Sequence, residues 1–189
     1  MTDRADEAGG RAALLAPGGN YGPDGPLLMF GGAAAQERGA LIRTVSWGLL
    51  DGHLSDEDLY ARVETTVAAA LDDLGPAVAP VIMGKSLGSV SASVAADRGI
   101  PAVWFTPLLT EARVVSALRR AAAPFLLVGG TADDWWDEDV ARSVTPHVVE
   151  IDGANHRMFV PGPLKESAAA LGEVASAVEC FLDDVAWPA

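Results

Sequence analysis

Ser86, Asp133 and His156 are the residues whose types and surroundings can do chemistry together. Ser86 stands in Val81-Ile82-Met83-Gly84-Lys85-Ser86-Leu87-Gly88-Ser89, a Gly-x-Ser-x-Gly run between an apolar stretch and a segment of small residues. Such a turn holds its serine at a strained backbone angle, and it needs glycine two residues to either side because side chains there would collide where strand meets helix. A hydroxyl presented in this way attacks a carbonyl carbon, provided that a base takes its proton and a carboxylate orients the base. The apolar run Phe125-Leu126-Leu127-Val128 opens through Gly129-Gly130 into Thr131-Ala132-Asp133-Asp134. The run from His147 to Ile151 leads into Asp152-Gly153-Ala154-Asn155-His156. Asp133 fits the orienting acid, Asp134 can substitute for it, and Asp137 suits the cap of a following helix. Of the three histidines, His53 falls in a loop before a helix and His147 at the start of a strand, so His156 is the well-placed base.

These three residues need elements that deliver them to one place. Short apolar runs alternate with helical patterns from about residue 11 onward, which predicts a parallel sheet with crossover helices. The runs place six strands at Ala12–Ala16, Ile42–Trp47, Val78–Met83, Ala102–Phe105, Phe125–Val128 and His147–Ile151. A helix is predicted from Ser55 to Leu74, with Ser55 as N-cap, acids at Asp56, Glu57 and Asp58, and an apolar stripe at Tyr60, Val63, Val67, Leu71 and Leu74. Gly75-Pro76 stops it. The C-terminal helix carries Leu164, Leu171, Val174, Val178 and Leu182 on one face. The small residues after Ser86 suit a helix packed closely on the middle of the sheet. In such a sheet, ligands bind at the carboxyl edge, where Ser86, Asp133 and His156 would meet.

The order Ser86, Asp133, His156 is that of the α/β-hydrolase superfamily. The chain resembles in particular the small, lid-less bacterial hydrolases of that fold. Leu14-Leu15-Ala16-Pro17-Gly18-Gly19 looks like their third strand and oxyanion loop, the run from Gly130 to Trp136 like their acid loop, and Gly153-Ala154-Asn155-His156 like their histidine loop. The resemblance covers residues 12 to 183. It implies a three-layer α/β sandwich around a mostly parallel six-stranded sheet, lacking the family's first strands and its cap. It further implies that the backbone N–H of Leu87 is one oxyanion donor and that of Gly19 or Asn20 the other. The loop Pro17-Gly18-Gly19-Asn20-Tyr21 departs from the usual His-Gly type.

The activity expected is cleavage of a small ester or thioester through an acyl-enzyme, without metal or cofactor. Acyl transfer to another acceptor, carbon–carbon cleavage by the same three residues, and a non-catalytic binding module are the alternatives. Trp47 ends the second strand, Trp104 with Phe105 ends the fourth, and Trp135 and Trp136 follow the acid; with Tyr21 the four tryptophans are expected to line a shallow apolar cleft, and simple covering of the strand ends is the other reading. Gly84-Lys85-Ser86 superficially matches the end of a phosphate-binding loop, but that motif needs glycine where Ala79 stands, so nucleotide binding is excluded. Lys85 is expected to point off the turn and make a surface or helix-end contact.

Composition narrows the partners. The chain has 189 residues, half of them hydrophobic, enough for one cored domain at 11–189 after a flexible lead-in at 1–10. Its formal net charge of −13 disfavours nucleic acid and anionic membranes, and mildly disfavours polyanionic substrates such as coenzyme A thioesters unless a local cation intervenes. The single cysteine, Cys180, is expected as a buried thiol, which with the lack of a signal-peptide pattern suggests a cytoplasmic protein. A small-molecule substrate is the partner expected, with the oligomeric state left open.

Overall fold

A computed structural model describes residues 10–48 and 54–188. Residues 1–9 of the expected lead-in at 1–10, and His53, lie outside the described residues. The strands are β1 (Arg11–Ala16), β2 (Leu41–Thr44), β3 (Ala79–Lys85), β4 (Ala102–Phe105), β5 (Phe125–Gly130) and β6 (Val148–Ile151). Around them lie α1 (Pro26–Glu37), α2 (Asp56–Asp72), α3 (Ala92–Arg98), α4 (Ala112–Arg120), α5 (Glu138–Val144) and α6 (Leu164–Phe181). A 3-10 turn at Ser86–Ser91 precedes α3, and a π turn at Leu182–Ala186 follows α6.

The sheet runs β2-β1-β3-β4-β5-β6 with every pairing parallel, the expected architecture made fully rather than mostly parallel. Alternation along the strands divides the core in two. Leu14, Ala16, Ile82, Trp104 and Leu127 face α2, α3 and α4, whereas Leu15, Met83, Phe105, Leu126 and Val128 face α1 and α6. Both cores are closed to solvent, so each central strand reads as a continuous apolar run rather than as an alternation, whereas β2 at the edge is mostly exposed.

Two helices follow from the stripes predicted for them, with one exception. In α2, Val63, Val67 and Leu71 are buried, Tyr60 and Leu74 pack partly buried against them, and Ser55 Oγ accepts from the Asp58 N–H at 3.2 Å. In α6, Val174 and Val178 are buried and Leu182 continues the seam, but Leu164 is 75% exposed because it opens the helix before it reaches the sheet. Cys180 is exposed, contrary to expectation. It lies two residues beyond buried Val178, about 200° around the helix.

The strand order reverses between β1 and β3, since the chain leaves β1 toward β2 on one side and continues from β3 toward β6 on the other. The crevice at the carboxyl ends of that strand pair is where an open parallel sheet offers a site. The Ser86 turn and the Pro17–Tyr21 loop both open there.

Candidate active site

Ser86 follows β3 with φ 51°, a left-handed conformation that side chains rarely adopt. The flanking glycines are required by close approach. A Cβ on Gly84 would meet the Trp104 ring at 2.6 Å and the Gly88 carbonyl oxygen at 2.9 Å, and one on Gly88 would run into the Ala16 carbonyl. Behind the turn, Ser91 Oγ donates to the Gly88 carbonyl at 2.6 Å, and Ser89 Oγ accepts from the Leu108 N–H at 3.1 Å. The small hydroxyls thus fasten the turn to its own helix and to the β4–α4 loop.

His156 and Asp133 complete a hydrogen-bonded chain with Ser86. Nε2 of His156 lies 2.8 Å from Ser86 Oγ, and Nδ1 lies 2.8 Å from Asp133 Oδ2. An ionised carboxylate only accepts, so Nδ1 carries the proton it shares with Asp133 and Nε2 is left to accept from the serine hydroxyl. The Asp133 side chain has no exposed surface, and its second oxygen accepts from the Trp135 N–H at 3.0 Å. Asp134 is exposed and outside this chain of bonds. Asp137 caps α5, accepting from the Val140 N–H at 2.9 Å.

The acid and histidine loops are tied to each other. Thr131 Oγ1 donates to Asp152 at 3.0 Å and accepts from the Gly153 N–H at 2.7 Å, while the Ala132 N–H donates to the Ala154 carbonyl at 3.0 Å. Asn155 Oδ1 accepts from the N–H groups of Arg157 and Phe159, which turns the backbone just past His156. Two more non-glycine residues with positive φ stand near this edge, Thr106 at 41° just beyond β4 and Met158 at 64° just beyond His156. Neither carries a mark in the sequence, because nothing in residue type distinguishes a threonine or methionine forced into that region.

The cleft over Ser86 encloses about 400 Å³. Gly19 and Asn20 form the exposed tip of a tight turn closed by the Gly18 N–H to the Tyr21 carbonyl at 3.0 Å, and both border the cleft together with Leu87. Tyr21 lines it as well, with its hydroxyl accepting from the Leu27 N–H at 2.8 Å.

The tryptophans are distributed otherwise than expected. Trp135 borders the cleft and is 40% exposed. Trp104 is 1% exposed, its ring buried beneath Gly84, because the last residues of β4 still alternate into the core. Trp136 packs on Gly129, where a Cβ would overlap its ring, and donates to Glu150 at 2.6 Å. Trp47 lies beyond the end of β2, buried, with Nε1 donating to the Pro17 carbonyl at 3.1 Å; it lines an adjoining groove rather than the cleft over Ser86.

Lys85 is buried rather than on the surface. Counting by twos along β3 from Val81 and Met83 reaches Lys85 on the same inward face, a signal that the sequence does contain. Its side chain borders the cleft with Nζ over the Tyr21 ring, 5.0 Å from the centroid. Burial is the main cause that lowers its pKa to about 8; the Asp133 charge opposes the shift and the Arg157 charge adds to it.

No protein-family model matches the chain, and no curated protein matches it by sequence. Solved structures do resemble it. An α/β serine hydrolase without lid from Xanthomonas campestris aligns over 96% of this chain and 86% of its own, at 14% identity and a TM-score of 0.65. A dienelactone hydrolase from Anabaena variabilis aligns over 94% and 87%, at 21% identity and a TM-score of 0.68. Est1E from Butyrivibrio proteoclasticus aligns over 95% and 89%, at 14% identity and a TM-score of 0.71. The chain therefore has the α/β-hydrolase fold.

Proposed function

We propose that the protein is a serine hydrolase that cleaves a small ester or thioester through an acyl-enzyme on Ser86. The observation that carries this reading is the continuous hydrogen-bonded chain from a strained Ser86 through His156 to buried Asp133, with both links at 2.8 Å. Ser86 Oγ attacks the carbonyl carbon as its proton passes to Nε2 of His156, and Asp133 stabilises the imidazolium that forms. The oxyanion accepts from the backbone N–H of Leu87 and from one at the Gly19–Asn20 tip. Leu87 lies in the first turn after Ser86, where N–H groups have no partner within the helix. Collapse of the tetrahedral adduct breaks the ester bond, and the leaving alcohol or thiol takes the proton from Nε2. A water molecule then gives a proton to Nε2 and attacks the acyl carbonyl, and Ser86 departs as its hydroxyl is restored.

The fold supports this reading, since the solved structures similar to it include named hydrolases. Covalent labelling with a fluorophosphonate probe tests it. Wild-type protein should be labelled, and Ser86→Ala should lose the label and about four or more orders of magnitude of ester turnover. Folded wild-type protein that resists the probe would instead be a binding module on the same fold.

A further inference from the structure

The cleft beside Ser86 is lined by cations in a chain whose formal net charge is −13. Lys85 and Arg157 both border it, and no aspartate or glutamate does; Asp133 lies behind His156 with its side chain fully covered. Lys85 is only 3% exposed, yet no carboxylate or carbonyl among the described residues accepts from its Nζ, which meets the face of Tyr21. An ammonium has three donors, and a ring face does not replace their acceptors. Arg157 follows His156 and stands exposed, held through its backbone N–H to Asn155 Oδ1 at 2.9 Å, with its guanidinium unpaired among the described residues. The two cations repel each other, since the Arg157 charge helps to hold the Lys85 pKa down. A covered cation that no acceptor hydrogen-bonds, attracted by Asp133 only from behind His156, and a second cation facing the same space form a site that an anion would complete.

We infer that the cleft takes an ester carrying a free carboxylate, which Lys85 and Arg157 bind while the ester carbonyl lies at Ser86. The ester half of this statement rests on the hydrolase reading above; the carboxylate half rests on the two cations alone. One carboxylate matches the site better than a polyphosphate, because two cations cannot offset several charges against the field of an acidic protein. Leu59, Leu108 and Trp135 supply an apolar wall for a short chain linking carboxylate to ester.

Two measurements keep the halves apart. The first compares 4-nitrophenyl hydrogen glutarate with the near-isosteric, neutral 4-nitrophenyl pentanoate. The wild-type ratio of kcat/KM, anionic over neutral, should exceed about tenfold and fall toward one in Lys85→Met and Arg157→Gln. Using a ratio cancels any general effect of a change beside Ser86, and Arg157→Gln lies on the surface should Lys85→Met fail to fold. The second measures, by calorimetry on Ser86→Ala, binding of monomethyl glutarate against dimethyl glutarate. The monoacid should bind about tenfold more tightly, and the added Lys85→Met or Arg157→Gln change should abolish the difference. Turnover with a ratio at or below one, or a ratio unmoved by both substitutions, overturns the carboxylate site and leaves the hydrolase. Selective binding of the monoacid without turnover of either ester overturns the hydrolase and leaves the site.

Discussion

Lys85 sits at a cost to stability, and the cost has a pH signature. Burial lowers its folded-state pKa to about 8, against 10.5 for an unhindered lysine, with the Asp133 charge opposing and the Arg157 charge reinforcing the shift. Below pH 8 the side chain is protonated both folded and unfolded, and the penalty is present in full. Between pH 8 and 10.5 the unfolded chain binds more protons than the folded one, so the penalty disappears as pH rises. Discounted for the solvent that reaches the cleft, it amounts to roughly 2 kcal/mol. Lys85→Met, which keeps an unbranched chain as far as Cε and removes the ammonium, should raise unfolding stability at pH 7 by roughly 1–2 kcal/mol, with the gain narrowing by pH 9.5. Urea titrations at the two pH values measure it; a variant less stable at pH 7 would mean that the Tyr21 contact outweighs desolvation. The inward direction of Lys85 was available from the alternation of β3. That an apolar face would end on an unpaired ammonium was not, because strand alternation gives direction and says nothing of what lies opposite.

At the scale of elements, three strand ends carry the three reacting residues and a fourth, β1, carries the loop opposite them. That loop is pinned from outside the site by Trp47, whose indole N–H donates to the Pro17 carbonyl at 3.1 Å across 30 residues of sequence. Trp47→Phe keeps most of the apolar bulk and leaves that carbonyl unpaired, which should cost about 1–3 kcal/mol. If the Gly19–Asn20 tip supplies an oxyanion donor, kcat should fall by about tenfold with KM nearly unchanged, since such a donor acts in the transition state. Steady-state kinetics beside a thermal melt make the comparison; a change in KM alone would place Trp47 in substrate binding. The strands were legible as apolar runs because both faces of each central strand are covered. Their ends were less so. β2 stops at Thr44, and Trp47 turns back over the β1 loop, because a strand paired on one side loses its ladder readily once its residues no longer face β1.

The molecule as a whole sets a negative field against a locally positive cleft. A thioester of coenzyme A must cross that field with several charges of its own, so its kcat/KM should rise when salt goes from about 10 mM to about 0.15 M and the Debye length contracts from about 30 to 8 Å. A neutral ester of equal acyl length should show no such rise. Stopped assays at the two ionic strengths test this; a fall for the thioester would mean that the two cleft cations, not the global charge, govern its approach. Trp135, which borders the cleft with Ser86, remains 40% exposed to solvent.

The sequence by itself determined the parallel α/β architecture, the order of its strands along the chain, and the convergence of Ser86, Asp133 and His156 on one sheet edge. It could do so because periodicity and turn residues are local signals, and a parallel sheet sends every following loop to the same edge. Tertiary structure alone decided which aromatic rings became core and which became cleft. Trp104 and Trp136 fill the space left by Gly84 and Gly129, contacts made between different strands and loops that no spacing encodes. It also decided that Asp133 rather than Asp134 meets His156, since the loop buries the first carboxylate and leaves its neighbour exposed. The meeting of a buried lysine and an unpaired arginine at one cleft belongs to the same class. Residues 72 apart in sequence became neighbours in one field because the loops after β3 and β6 close over the same crevice, and that juxtaposition exists only in the folded chain.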